Sequence, residues 1–234
     1  MGATSMRISE IFHSIQGEGK LMGVPSAFVR VSGCNLRCVW CDTPYASWEP
    51  EGENMAVAAI VDHVAKIGAK HVVVTGGEPM IMPEIGELCR SLKSRGHHIT
   101  METAATVFSP VEIDLASLSP KLANSTPRDR AGGKFAEAHE RQRLNFPVIQ
   151  QFIDSSPDFQ LKFVVSDESD LAEIREVLNK LKNWTPADVL LMPEGVDAET
   201  LAARSGWISD ICKREGFRFC LRLHILMYGN RRGT

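Results

Sequence analysis

Nowhere in this chain of 234 residues does an apolar run approach the roughly 18–20 residues that would cross a bilayer. No apolar stretch follows the start either, so no export signal and no membrane partner are expected. Charge of one sign is not in excess: 26 basic and 29 acidic residues leave a net charge of −3 with histidine neutral. That balance argues against the broad basic footprint of a nucleic-acid binder. Internal repeats, low-complexity tracts and strong linkers are absent. What is present is the composition of an ordinary globular domain, 44% hydrophobic and 24% charged, with enough apolar surface to offset chain entropy. The length admits one large domain or two small ones. Residues 1–5 are small and polar before a second methionine, Met6, and read as a cloning remnant outside the fold.

The six cysteines lack the even spread of disulfide staples. Cys34, Cys38 and Cys41 fall together, while Cys89, Cys212 and Cys220 are scattered and read as core. This distribution suits a reducing cytoplasm and one thiolate cluster. A second CxxC or an HxxxH, which a closed zinc site would need, is also missing, and His97 and His98 are adjacent rather than spaced.

Apolar periodicity predicts strands over 27–31, 71–75, 98–102, 113–118, 161–165, 189–192 and 217–221. Helices are expected over 55–67, 83–95, 169–181 and 198–214, with another inside 135–152. Alternation of this kind gives parallel strands joined by right-handed crossovers, with functional loops at the strand C-terminal ends. A full eight-unit barrel takes about 250 residues. The expected fold is therefore α/β, a partial, open β/α barrel with about six parallel strands in a single domain over 6–234. A doubly wound open sheet is the alternative.

Residues 33–43 read GCNLRCVWCDT, a CxxxCxxC loop. Cubane clusters ordinarily take four cysteines. Three thiolates on one short loop leave an iron without a protein ligand, and an open metal position is where chemistry occurs. Residues 75–79, TGGEP, follow the strand over 71–75. Their glycine pair allows close backbone approach and leaves N–H and C=O groups free to hold the amino or carboxylate group of a ligand.

The two motifs, with Trp40 just before the third cysteine, resemble those of the radical S-adenosylmethionine superfamily. A narrower resemblance starts at residues 10–19, EIFHSIQGEG, and runs through Phe28-Val29-Arg30, Ser119-Pro120-Lys121, Leu223-His224 and the GNRRG of 229–233. Together these are similar to the 7-carboxy-7-deazaguanine synthase family. The segment from 124 to 159 carries little of the likeness.

The resemblance implies conversion of 6-carboxy-5,6,7,8-tetrahydropterin to 7-carboxy-7-deazaguanine and ammonia, a radical ring contraction toward queuosine and other 7-deazapurines. It implies that Cys34, Cys38 and Cys41 hold a [4Fe–4S] cluster whose open iron is chelated by S-adenosyl-L-methionine. Thr43 would be the protein ligand of Mg²⁺; read alone, it caps the turn before Pro44. Ile15, Gln16, Gly17, Arg30, Thr75 and Thr234 would form the pterin site, with the Gln16 amide offering a donor and an acceptor. Arg30 would meet the substrate carboxylate; its alternative is an internal pair with Glu18 or Asp42. Gly77, Glu102, Ser119, Pro120, Lys121, Met192, Pro193, Glu194 and Gly195 would bind the cofactor. Read alone, Met192 is core and Lys121 a solvated charge.

A homodimer is implied as well. Arg128, Arg130, Lys134, Arg141 and Arg143 read as a solvated basic face, one that would suit an acidic, flavodoxin-like electron donor. Two other readings stay open on sequence: an activase that makes a glycyl radical on a partner protein, and a non-catalytic zinc or cluster-binding module.

Overall fold

The computed structural model describes residues 4–234; residues 1–3 of the stretch read as a remnant lie outside the described residues. A long strand, β1 (Ser5–Ile15), opens the chain and turns back into β2 (Pro25–Val31) as an antiparallel hairpin. Ser5 pairs with Ala56 of the edge strand β3 (Glu53–Ala56), and the Val57 N–H donates to Thr4 O at 2.9 Å. Thr4 and Ser5 therefore belong to the fold from which the sequence reading excluded them.

From β2 onward every pairing is parallel. β4 (His71–Gly76), β5 (His98–Thr103), β6 (Leu115–Leu118), β7 (Phe159–Val165), β8 (Val189–Pro193) and the two-residue β9 (Arg218–Phe219) follow in spatial order. The sheet runs β3-β1-β2-β4-β5-β6-β7-β8-β9 with its two edges unpaired, an open barrel as expected. The expectation of about six parallel strands did not include the β1–β2 hairpin or β3. In β1 only Met6 and Ile8 are buried, Arg7, Glu10 and His13 interrupt its apolar residues, and the run carries no β-branched block to mark it.

Helices cover the outer face. α2 (Val57–Ile67), α3 (Ile85–Ser94), α6 (Asp170–Asn179) and α7 (Ala198–Glu215) lie where periodicity puts them. α2 directs Val57, Ile60, Val61 and Val64 inward and ends on Gly68 in the left-handed conformation, the standard stop for a helix. Burial of each such side chain contributes about 1.5–3 kcal/mol. The helix expected within 135–152 is two, α4 (Ala136–Gln142) and α5 (Phe146–Ser155), because Pro147 can sit only in a first turn. Two short helices were not foreseen, α1 (Pro44–Ser47) and α8 (Leu223–Tyr228). No helix among the described residues is long and apolar enough to cross a membrane.

Residues 16–24, between β1 and β2, span the open side. Lys20 anchors them: its N–H donates to Gln160 Oε1 at 2.7 Å, and its ammonium meets Asp158 at 2.7 Å and Phe159 O at 2.5 Å. The Gly19 N–H reaches Cys220 Sγ at 3.1 Å, and the Leu223 N–H donates to Gly17 O at 2.9 Å.

Candidate active site

Successive strand residues face opposite ways. Val29, Val74, Met101, Ala116, Phe163 and Leu191 pack outward into the core under the helices. Their neighbours Arg30, Thr75, Glu102, Ser117, Lys162 and Met192 face inward and line one cavity. The strand period therefore sorts apolar residues to the scaffold and chemical ones to the interior.

Cys34, Cys38 and Cys41 are free thiols at the wall of the same cavity. Their loop is stitched to its surroundings on both sides. On one, the Gly33 N–H donates to Ala46 O at 2.8 Å and the Glu78 N–H to Gly33 O at 2.9 Å. The Gly77 N–H donates to Val31 O at 3.2 Å, and a Cβ on Gly77 would stand 2.0 Å from Gly33 O. The Gly77 and Glu78 N–H groups are thus committed to packing two loops together, and of the two residues only Gly77 lines the cavity. On the other side, the Arg37 N–H donates to His139 Nδ1 at 3.1 Å and the Val39 N–H to Ser125 O at 2.8 Å. Trp40 Nε1 donates to Asn124 Oδ1 at 3.2 Å, and Trp48 Nε1 to Cys38 O at 2.9 Å. Apart from Trp48, this buttress comes from Asn124, Ser125 and His139.

Burial pushes the Cys34 and Cys38 thiols up to about 12; Glu78 adds to this at Cys34, and Lys121 opposes it at Cys38. Thiolates in such a setting call for an adjacent cation, which a cluster's irons supply. Three sulfurs on one cavity wall fit a cubane with a vacant corner. Among the described residues no three His, Cys, Asp or Glu side chains are gathered to hold a single metal ion.

Glu78, the acid of the TGGEP motif, is fully buried and does not reach the cavity. Its carboxylate accepts from Thr103 Oγ1 at 2.6 Å, Ala104 N at 2.8 Å and Met80 N at 3.1 Å, tying the β4 loop to the end of β5. Burial raises its pKa against the pull of these donors.

Arg30 has a partner that the sequence reading did not name. Its Nε donates to Glu10 Oε1 at 2.6 Å, rather than to Glu18 or Asp42, and its guanidinium lies 5.6 Å over the Phe12 ring. Neither terminal nitrogen makes a hydrogen bond within the described residues. Tyr45 OH shares Glu10 Oε1 at 2.9 Å, and Arg232 of the tail approaches Glu10 Oε2 at 3.5 Å.

Glu102 sits with the expected pterin residues rather than with the cofactor group. Its Oε1 accepts from Gln16 Nε2 at 3.1 Å and its Oε2 from Thr75 Oγ1 at 2.8 Å. Gln16 Oε1 in turn accepts the Glu18 N–H at 3.2 Å, so one donor and one lone pair of this amide brace the protein itself. At Gly17 a Cβ would stand 1.9 Å from His224 Nδ1, so only glycine lets this segment lie against the tail.

The sequence reading missed a buried ionic network at the cavity wall, Glu18, Lys162, Arg222 and Asp42. Lys162 Nζ and Arg222 Nε both donate to Glu18, the latter at 3.1 Å, and Arg222 Nη2 donates to Asp42. Burial works to raise the two carboxyls, but facing Lys162 and Arg222 hold Glu18 well below the usual carboxylate range, and Arg222 does the same for Asp42. His224, also missed, is held below its ordinary value by burial. One signal was available: Lys162 interrupts the apolar run of 161–165, and a lysine there demands a partner. Arg222 has no local pattern to betray it.

The remaining expected residues divide. Ile15, Thr43, Ser119, Lys121, Met192, Glu194, Gly195 and Thr234 reach the cavity, whereas Pro120 and Pro193 are buried beside it and do not line it. Thr43 occupies the cap position of α1, yet its side chain makes no capping bond; the hydroxyl lies 3.8 Å from Cys41 Sγ. Lys121 is no solvated charge: its ammonium bonds Ser119 Oγ at 2.8 Å and lies 5.5 Å over the Trp40 ring. Met192 is both wall and core, packed with Val164, Leu190, Cys220 and Trp40. Cys89 and Cys212 lie in the core.

The basic stretch is not one solvated face. Arg143 is half-buried between Glu140 and Glu173, at 2.6 Å from each; Arg128 pairs with Glu140 and Arg141 with Glu137. Arg130 stacks on Trp48 at 3.9 Å and donates to Val39 O at 2.9 Å.

Residues 28–122 match the Radical SAM superfamily. Over 231 residues the chain is 47% identical to the 7-carboxy-7-deazaguanine synthase of Rhodopirellula baltica, covering 99% of this chain and 90% of that one. It is 41% identical over 236 residues to the enzyme of the same name from Halobacterium salinarum, covering 97% and 91%. The crystal structure of QueE from Escherichia coli shares the fold, with a TM-score of 0.71 at 22% identity over 94% of this chain and 95% of that one.

Proposed function

The chain belongs to the 7-carboxy-7-deazaguanine synthase family, and on that premise we propose that it converts 6-carboxy-5,6,7,8-tetrahydropterin to 7-carboxy-7-deazaguanine and ammonia. One observation carries the reading. Arg30, with free terminal nitrogens, and Glu102, braced on both oxygens, face the same cavity as the three thiols. A guanidinium fork suits the substrate carboxylate, and a carboxylate held by neutral donors suits the N–H edge of a pterin.

In this reading Cys34, Cys38 and Cys41 would hold a [4Fe–4S] cluster, with S-adenosylmethionine bound beside it in the same cavity. When bound, cluster and cofactor supply radical hydrogen abstraction, which no side chain can provide. Gly77, Ser119, Lys121, Met192, Glu194 and Gly195 hold the cofactor, with Pro120 and Pro193 shaping the loops that carry them. Ile15, Gln16, Gly17, Thr75 and Thr234 enclose the pterin. Thr43, whose hydroxyl is spared from capping, is the Mg²⁺ ligand; Mg²⁺ takes hard oxygens and needs only one or two from protein. The protein's share is orientation and exclusion of water.

The reading extends to a cytoplasmic homodimer served by a flavodoxin-like donor. In support of the donor, Arg37 of the cluster loop, with Arg130 and Lys134 beside it, enters no ion pair among the described residues, and neither do those two.

The test is anaerobic reconstitution followed by incubation with the carboxy-tetrahydropterin, cofactor, Mg²⁺ and reductant. Deazaguanine identified by absorbance and mass supports the reading. An intact cluster that yields none of it overturns the reading.

A further inference from the structure

Arg222 lies between β9 and α8 with only 7% of its side chain exposed. Its three donor positions serve three different segments. Nε donates to Glu18 Oε1 at 3.1 Å, Nη1 to Gly195 O at 2.6 Å, and Nη2 to Asp42 Oδ2. Each acceptor sits next to a different part of the site. Asp42 follows Cys41 in the cluster loop, Gly195 closes the stretch after β8, and Glu18 ends the segment of Gln16 and Gly17 that closes the cavity beneath the tail.

A guanidinium is flat, and its N–H groups point in fixed directions. Three acceptors gathered around it cannot shift independently. An ammonium is a point charge on a flexible stem with donors that rotate, so it can contact acceptors without fixing their directions relative to one another. Asp42 has no other ion-pair partner within the described residues, so Arg222 is the one side-chain charge that ties the turn after Cys41 to the cofactor stretch and the substrate segment.

We propose that Arg222 is a positioning residue that sets the placement of bound S-adenosylmethionine relative to the substrate, by locking the cluster loop, the cofactor stretch and the substrate segment to one rigid group. The inference rests on the functional reading above. Hydrogen transfer needs reacting atoms about 3–3.5 Å apart, and a shift of about 1 Å can cost about a hundredfold. Misplacement separates two yields. Cofactor cleaved by one electron and then quenched by a hydrogen from buffer or reductant appears as methionine and 5′-deoxyadenosine, with no substrate consumed. Correctly placed substrate appears as deazaguanine.

The test uses full-length, cluster-loaded Arg222→Lys and Asp42→Asn. Cofactor binding is followed by the change it makes in the electron paramagnetic resonance spectrum of the reduced cluster. 5′-Deoxyadenosine per deazaguanine is measured in parallel. Both variants are expected to keep about four irons and four sulfides per chain. They should bind cofactor nearly as the parent does, while the ratio of 5′-deoxyadenosine to product rises about tenfold or more. An unchanged ratio in a variant that retains its cluster overturns the inference, as does a parallel fall in both yields. Should Arg222→Lys fail to hold a cluster, the nearly isosteric Asp42→Asn decides by itself. A parent chain that binds cofactor yet never forms deazaguanine overturns the functional reading instead, so the two failures are distinguishable.

Discussion

Thr75 and Glu102 stand on adjacent parallel strands, and the Thr75 hydroxyl donates to the Glu102 carboxylate at 2.8 Å. With Gln16 on its other oxygen, the carboxylate is fixed in place by neutral donors, and no ion pair among the described residues consumes its charge. A fixed anion of this kind is a ready acceptor for a ligand's N–H groups.

Glu102→Gln should therefore weaken use of the pterin while sparing the cluster. Hydrogen bonds to a charged group are worth about 1.5–3 kcal/mol, so kcat/KM should fall about 10- to 100-fold. Steady-state kinetics, with iron and sulfide analysis alongside, checks this; an unaltered kcat/KM removes Glu102 from the pterin wall.

Cys38→Ala should abolish cluster retention, and with it all cofactor cleavage. Thr43→Ala should keep the cluster and instead demand more Mg²⁺. Titration of product formation with Mg²⁺ separates the two, and a curve identical to that of the parent takes Thr43 out of the metal site.

Glu78→Ala should act on stability, since it strands the Met80 and Ala104 N–H groups and the Thr103 hydroxyl in the interior. Unpaired buried donors cost about 1–3 kcal/mol each. The urea midpoint should drop clearly with the slope unchanged.

His71 and His139 are buried, and burial lowers both to about 4. Two hydroxyls bracket His71, Ser26 Oγ at 2.7 Å and Thr100 Oγ1 at 2.8 Å, and His139 bonds Ser125 Oγ at 2.9 Å. Between pH 6.5 and about 4 the unfolded chain binds protons at these positions and the folded chain does not. Stability should be full above that window and decline as pH falls through it. Denaturant melts from pH 7.5 to 4.5 should show the decline, less steeply in His71→Asn.

Buried β-branched runs such as Val72-Val73-Val74 announced the parallel strands, and the cysteine spacing announced the loop that faces their C-terminal ends. Less was legible where meaning depends on distant partners. β1 reads as a motif rather than as a strand because its apolar residues are interleaved with Arg7, Glu10 and His13. Glu18 and Arg222 look like ordinary surface charges until the fold brings them together across 204 positions. Arg30 was flagged by the cost of a charge on a buried strand, but its partner Glu10 emerges only from the register of the hairpin.

The Lys20 anchor joins an early loop to strands made 138 residues later. Contacts of such span form slowly, since chain entropy must be surrendered before they are rewarded. While the ribosome is still making the far half, the pocket has no closing wall, and its thiols stand open to the surrounding solution. A chain cut before β7 would therefore lack both the anchor of the early loop and the wall it closes, and Cys34, Cys38 and Cys41 would face solvent.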